Sequence, residues 1–253
     1  MGVLDSIITD ILAQEPDHVA LTGDLANIGM PAEFALAKRS LLRLGGPDYV
    51  SIIPGNHDAY VHGSLTAMRH IWNAHMSGDN GSEEYPYLRS RGPLALIGLS
   101  SAVPSLPFLA TGRLGRDQLD RFEHMLLQAR KTHAATVVMI HHPPHVGGAR
   151  CARNLTDAKA LEGILQRIGA DLVIHGHNHR LSIARLTGAD GNEIPVVGVA
   201  SASAVPGSLA HRAAYHMFTF DRKNGKLDIG LEVRGIAETG APVTTLETIP
   251  ISG

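Results

Sequence analysis

Four short clusters of metal-binding or proton-moving side chains stand where the sequence otherwise reads as strand ends. Gly23-Asp24 follows an apolar run over 18–22, and Gly55-Asn56-His57-Asp58 follows one over 49–53. His141-His142-Pro143 follows 134–140, and Gly176-His177-Asn178-His179 follows 171–174. A carboxylate can bridge two cations, an amide supplies a neutral oxygen, and imidazoles suit borderline divalent ions; no thiolate is present in the set to favour soft ones. Asn56, His57 and Asp58 adjoin, which suits one group holding a metal while its neighbour moves a proton and the carboxylate orients the imidazole. His177 and His179 are two residues apart, so an extended or tightly turned backbone lets both face one cavity. Singly, each cluster also reads as an ordinary turn, because Gly, Asn and Asp favour turns. In order, each after a buried strand, they point to a divalent-metal site at the carboxyl ends of strands.

The elements that must position these residues follow from periodicity. Val3, Leu4, Ile7, Ile8, Ile11 and Leu12 predict an opening amphipathic helix that Pro16 ends. Pro31 starts a second helix ending near Gly45-Gly46, a third covers about 65–75, and others cover 116–131 and 157–168. Segments 85–88 and 94–99 read as strands, and 101–115 as a loop rich in Pro and Gly. This alternation is that of an α/β layer. After His179 the pattern changes to strands at 181–186, 196–200, 215–220 and 227–233 separated by turns, an antiparallel meander. One domain over 1–253 is expected, with two β layers and helices outside them.

Bulk properties exclude several classes. With 253 residues and 44% hydrophobic composition the chain can bury a sizeable core. Lys plus Arg number 22 against 24 Asp plus Glu, so no charge excess favours nucleic acid or an anionic membrane as partner. The single Cys151 rules out an intrachain disulfide and a thiolate metal cage. No apolar run reaches membrane-spanning length and no signal-peptide pattern opens the chain, so a cytoplasmic protein is the default expectation.

The four clusters resemble four of the five sequence blocks of the calcineurin-like metallophosphoesterases. Gly-Asn-His-Asp with Gly-His-x-His in this order is the specific part of the likeness; Gly-Asp alone is weak. The resemblance implies an α/β (α+β) fold, a two-layer β-sandwich of mixed sheets flanked by helices. It implies two divalent ions drawn from Mn, Fe, Zn or Co, with Asp24 bridging them. Asn56, His141 and His177 would complete one ion's ligands and His179 would bind the other. His142 would be the less available of its pair. His57 would contact the phosphate and protonate the leaving alkoxide, with Asp58 steering its ring. The proline-bearing double-His block is most similar to the branch containing bacterial cyclic-nucleotide and glycerophosphodiester phosphodiesterases. A phosphodiesterase acting on small phosphate esters through a metal-activated hydroxide is therefore expected. A nuclease of the same superfamily and a non-catalytic interaction module remain the alternatives.

One block of that family has no counterpart here. Its Asp-x-His at the end of the first strand supplies two ligands to the ion that His179 would bind, and nothing before Asp24 matches it. Asp17-His18 are adjacent and enter a strand rather than leave one. A first, central strand is therefore expected to be missing, the second metal to be held weakly and activity to be impaired. A chain that begins at an internal methionine and a degenerate family member both explain this, and the intactness of the other blocks favours the former. A sheet edge left open by the missing strand also keeps homo-oligomer formation in view.

Overall fold

A computed structural model describes residues 2–105, 109–204 and 212–252. Part of the expected loop over 101–115, residues 106–108, lies outside the described residues. The helices are α1 (Val3–Ala13), α2 (Pro31–Leu41), α3 (Ser64–Trp72), α4 (Arg116–Thr132) and α5 (Ala158–Ile168). The strands are β1 (Val19–Leu21), β2 (Val50–Ile52), β3 (Tyr87–Arg91), β4 (Leu94–Gly98), β5 (Ala135–Ile140) and β6 (Leu172–His175). They continue with β7 (Ser182–Thr187), β8 (Glu193–Gly198), β9 (Ala214–Lys223), β10 (Lys226–Ile236) and β11 (Val243–Ser252). The chain divides into two compact units, one of residues 17–177 and 183–197, the other of 1–16, 178–182 and 198–253.

The larger unit is organised on a mixed six-stranded sheet in the order β3-β4-β5-β6-β8-β7. Central parallel strands bury both faces and so read as unbroken apolar runs. β5 is such a strand, buried at all six positions and parallel to β4 and β6. Helices α4 and α5 cover one face. Leu119, Phe122, Leu126 and Ala129 recur at helical spacing on α4, and Leu161, Ile164 and Leu165 on α5. Together they meet Ile97, Val138, Ile140 and Val173 of the sheet. A separate parallel pair, β1 with β2, aligns Val19, Ala20 and Leu21 with Val50, Ser51 and Ile52. Two side chains of β3 tie this pair in. The Tyr87 hydroxyl donates to the Ile52 carbonyl at 3.0 Å. The buried Arg89 guanidinium donates to the carbonyls of Pro47, Val50, Ala74 and Ser77. A buried cation is tolerated when its donors are satisfied, and here one side chain staples three chain segments.

In the smaller unit, β11-β10-β9 form an antiparallel sheet. Asp10 of α1 accepts from Arg234 Nε and Nη2 at 2.8 and 3.0 Å and from the Tyr215 hydroxyl at 2.7 Å. The Arg234 hydrogen bonds hold the Asp10 carboxyl below its ordinary range against the opposing effect of burial. That fork-shaped pairing anchors the helix on its strands.

The mixed α/β architecture is as expected, with two corrections. The strands after His179 do not form one meander: β7 and β8 join the six-stranded sheet, with β8 between β6 and β7. The described strands sort into three sheets of two, six and three strands. β11 was not foreseen, and it carries Pro250, a residue that disfavours a strand interior. The structure places it on the edge strand of its sheet, opposite Gly230 and next to a register shift, where a missing donor is tolerated. No helix among the described residues is long and apolar enough to cross a membrane.

Phe122 is fully buried beneath α4, whereas Leu127 on the same helix is 45% exposed. Phe122→Ala should lower unfolding free energy by about 3–5 kcal/mol. Leu127→Ala should cost at most about 0.5 kcal/mol. Urea unfolding followed by circular dichroism checks both; equal losses would mean the core is not where this packing puts it.

Candidate metal centre

Parallel pairing keeps the carboxyl ends of β1 and β2 level, and likewise those of β5 and β6, so the polar residues just past each strand gather at a common end. Two glycines allow the β1 and β2 loops to touch. A Cβ on Gly23, whose φ is +96°, would fall on the Gly55 backbone, and one on Gly55 would fall on the Asp24 carboxylate and amide. Asp24 itself takes a φ of 59°, and His177 one of 65°. A left-handed backbone is uncommon outside glycine and costs about 1–2 kcal/mol. The surrounding loops hold both residues there.

Asp58 does much of that holding. It is fully buried, and its two oxygens accept the amides of Asp24 (2.8 Å), Ala26 (2.9 Å) and Gly55 (2.8 Å). Burial pushes its carboxyl up to about 6, while the Gly55 amide pulls it down and the Asp24 charge pushes it up. The steering of the His57 ring expected of Asp58 falls instead to a backbone group. His57 Nδ1 lies 2.5 Å from the Asn27 carbonyl, an acceptor that fixes the proton on Nδ1 and leaves Nε2 free for chemistry. The Asp24 Oδ1 accepts the His57 amide at 3.0 Å, so the proposed proton donor and carboxylate share one rigid turn.

Three donor atoms converge. His141 Nε2 lies 3.0 Å from Asn56 Oδ1 and 3.3 Å from His177 Nδ1, which is itself 2.9 Å from Asn56 Oδ1. Asp24 Oδ2 approaches His141 Nε2 at 3.3 Å. His141 Nδ1 donates to the Thr22 carbonyl at 2.7 Å, which in the neutral ring turns the Nε2 lone pair toward the others. Ligands about 2.1 Å from a cation stand about 3.0–3.4 Å from one another, which is the spacing seen here. Burial opposes protonation of His141, yet the Asp24 carboxylate and the Thr22 carbonyl carry its pKa upward. His177 is lowered to about 3 by burial and by the neighbouring His141 and Arg153, and stays neutral. Its Nε2, the nitrogen turned away from Asn56 and His141, is buried with no hydrogen-bond partner among the described residues. Among the described residues no three His, Cys, Asp or Glu side chains stand arranged to hold a metal by themselves. Here the Asn56 amide oxygen supplies the shared vertex, and the donor set of two imidazoles, an amide and a carboxylate suits a borderline divalent ion.

His142 is otherwise engaged. Ser101 Oγ meets its Nδ1 at 2.7 Å, and its Nε2 donates to the Ala110 carbonyl at 3.1 Å. Burial drives its pKa far down, so it is a neutral wedge against the His141 and His177 rings, at centroid distances of 5.1 and 4.4 Å. His179 belongs to the smaller unit, where its backbone takes a φ of 53°. Sequence reasoning missed Thr22, Asn27 and Ser101. Two of them act through backbone carbonyls, which carry no side-chain signature. Arg153 also went unassigned; it donates to the His177 carbonyl at 3.2 Å.

Gly55→Ala places a methyl group where the Asp24 carboxylate sits. It should weaken manganese binding by about ten-fold or more, the order seen when groups supporting metal ligands are disturbed. Gly46→Ala is the control, at a glycine without a positive φ whose Cβ would meet open space. Manganese titration of both variants checks this; equal affinities would show that the two-loop contact does not position the ligands.

The sequence profile of the calcineurin-like phosphoesterases matches residues 3–181. The chain is 29% identical over 136 residues to a "Probable glycerophosphodiester phosphodiesterase" of Arcobacter nitrofigilis, covering 53% of this chain and 44% of that protein. It is 29% identical over 181 residues to a "Probable cyclic nucleotide phosphodiesterase" of Synechococcus sp., covering 70% of this chain and 64% of that one. The matched stretches thus span less than two thirds of either relative's length. A solved structure of a dimetal phosphatase from Danio rerio shares the fold, with a TM-score of 0.65 at 17% identity over 99% of this chain and 88% of that chain. With the profile spanning most of the chain and its strand-end clusters gathered as described, the protein belongs to the calcineurin-like phosphoesterase family.

Proposed function

We propose that this protein is a metal-dependent phosphodiesterase that hydrolyses small phosphate esters at the Asp24–Asn56–His141–His177 cluster. The observation that carries this reading is the convergence of His141 Nε2, His177 Nδ1 and Asn56 Oδ1 within 2.9–3.3 Å of one another. A divalent ion held there would polarise the phosphoryl oxygens and acidify the attacking water. The chain's own residues do the rest. Asn56, His141 and His177 hold the ion, with Asp24 completing its ligands, and Thr22 keeps His141 in the ligating tautomer. His57, in its doubly protonated form with Nδ1–H donated to the Asn27 carbonyl, gives its Nε2 proton to the leaving alkoxide. Asp58 keeps the His57 turn and Asp24 in register. His179 is proposed as ligand to a second ion. The diester preference is supported by the names of the two relatives, and the small substrate by the absence of any charge excess that would hold a nucleic acid.

The test is hydrolysis of bis(4-nitrophenyl) phosphate by protein reconstituted with manganese, with metal content measured by elemental analysis. Chelation should abolish turnover and manganese restore it. His57→Ala should lower kcat by about 10²–10⁴ while keeping its metal, and Asn56→Ala should lose the metal. Unchanged turnover in His57→Ala would remove that residue from the mechanism.

A further inference from the structure

A cavity of about 490 Å³ lies at the start of α4, bounded by Arg69 of α3, the 84–85 segment, the residues just past β4 and the first turn of α4. That size suits a small organic molecule. Its lining is unusual in charge: Arg69, Arg113, Arg116 and Arg121 against Glu84 and Asp117. Arg116 pairs loosely with Asp120, at 3.7 Å. The other three have no carboxylate partner among the described residues. Arg69 donates to the Glu83 carbonyl and lies 5.4 Å over the Tyr85 ring. Arg121 donates twice to the Tyr85 carbonyl. These contacts fix the two guanidiniums without neutralising them, and the Arg113 side chain is exposed and unpaired.

The helix adds to this field. α4 runs for 17 residues, and its N-cap, Gly115, offers no side chain to cap it. Leu119 is the first residue whose amide reaches back into the helix, to Gly115 at 3.1 Å. The amides of Arg116, Asp117 and Gln118 therefore have no intrahelical acceptor, and the positive end of the helix dipole faces the same side. Neighbouring donors are already used: Leu114 and Gly115 donate to Asp157, and the Gln118 side chain is locked to both backbone groups of Ser100. Against the carboxylates of Glu84 and Asp117, the four arginines leave the lining with a net positive charge.

We propose that this cavity is a second binding site, for a phosphate-bearing small molecule recognised by the arginines and the open first turn of α4. It is distinct from the metal cluster. Ser100 and Ala102 line the cavity, while Ser101 between them turns its hydroxyl to His142. The occupant is either a separate effector or a remote phosphate of the substrate, and both present the same chemistry.

The experiment is isothermal titration of AMP into metal-stripped protein, so it stands apart from the proposed hydrolysis. Saturable binding is expected. Arg113→Gln should weaken it about ten-fold or more through loss of charge-assisted hydrogen bonds, and Arg116→Gln should weaken it as well. Lys159→Gln, an exposed cation outside the cavity, should leave it unchanged. Circular dichroism shows whether the variants keep the fold. No saturable binding at millimolar AMP, or equal affinities for Arg113→Gln and Lys159→Gln, would overturn the site. Repeating the titration with manganese separates the sources, and either result supports the site. An unchanged Kd assigns the occupant to an effector, and a tighter one assigns it to a ligand spanning both sites.

Discussion

A buried carboxylate bonded only to backbone is the constraint from which the centre follows. Asp58 draws the amides of Asp24, Ala26 and Gly55 onto its two oxygens, joining the loop after β1 to the loop after β2. Hydrogen bonds to a charged group contribute about 1.5–3 kcal/mol each, enough to offset the left-handed backbone of Asp24. The approach is open only because Gly23 and Gly55 have no side chains in the way. Asp24, Asn56 and His57 are then placed by one knot of main chain rather than by separate contacts, and a disturbance at any of its members reaches all three.

This knot explains where sequence reading succeeds and where it fails. The buried runs ahead of Asp24, Asn56, His141 and His177 are legible because strands covered on both faces must be apolar. Glycine beside Asp24, Asn56 and His177 is legible because close backbone approach requires it. The role of Asp58 was misread because adjacency in sequence suggested contact between side chains. The turn at His57–Ala59 is a single 3₁₀ segment that sends Asp58 inward while His57 stays partly exposed. Carbonyl partners such as Thr22 and Asn27 leave no trace in residue type. Side-chain chemistry was therefore visible in the sequence, and the main-chain groups that orient it were not.

Strand placement after His179 failed for a related reason. β8 is buried at five consecutive positions, whereas β7 alternates and stays half exposed. The first pattern belongs to an interior strand and the second to an edge, which is how the two sit in the sheet. Reading both simply as members of a meander ignored that difference. The signal lay in the contrast between neighbouring segments rather than in either one alone.

The short stretch after β4 shows how one extended segment serves two environments. Successive side chains of an extended chain point to opposite sides. Ser101 faces inward and fixes His142, which is kept neutral by burial and packs against His141 and His177. Ser100 and Ala102 face the arginine-lined cavity, and Ser100 is clamped there by Gln118. Gly112 belongs to the same arrangement, since a Cβ there would strike the His142 ring. A one-residue slip in this stretch would exchange the two faces, removing the hydroxyl from His142 and the clamp from α4 together. The Ser100–Gln118 clamp sets that register from one side and the Ser101–His142 contact sets it from the other, so the wall behind His141 and His177 and the mouth of the cavity are fixed by the same short stretch.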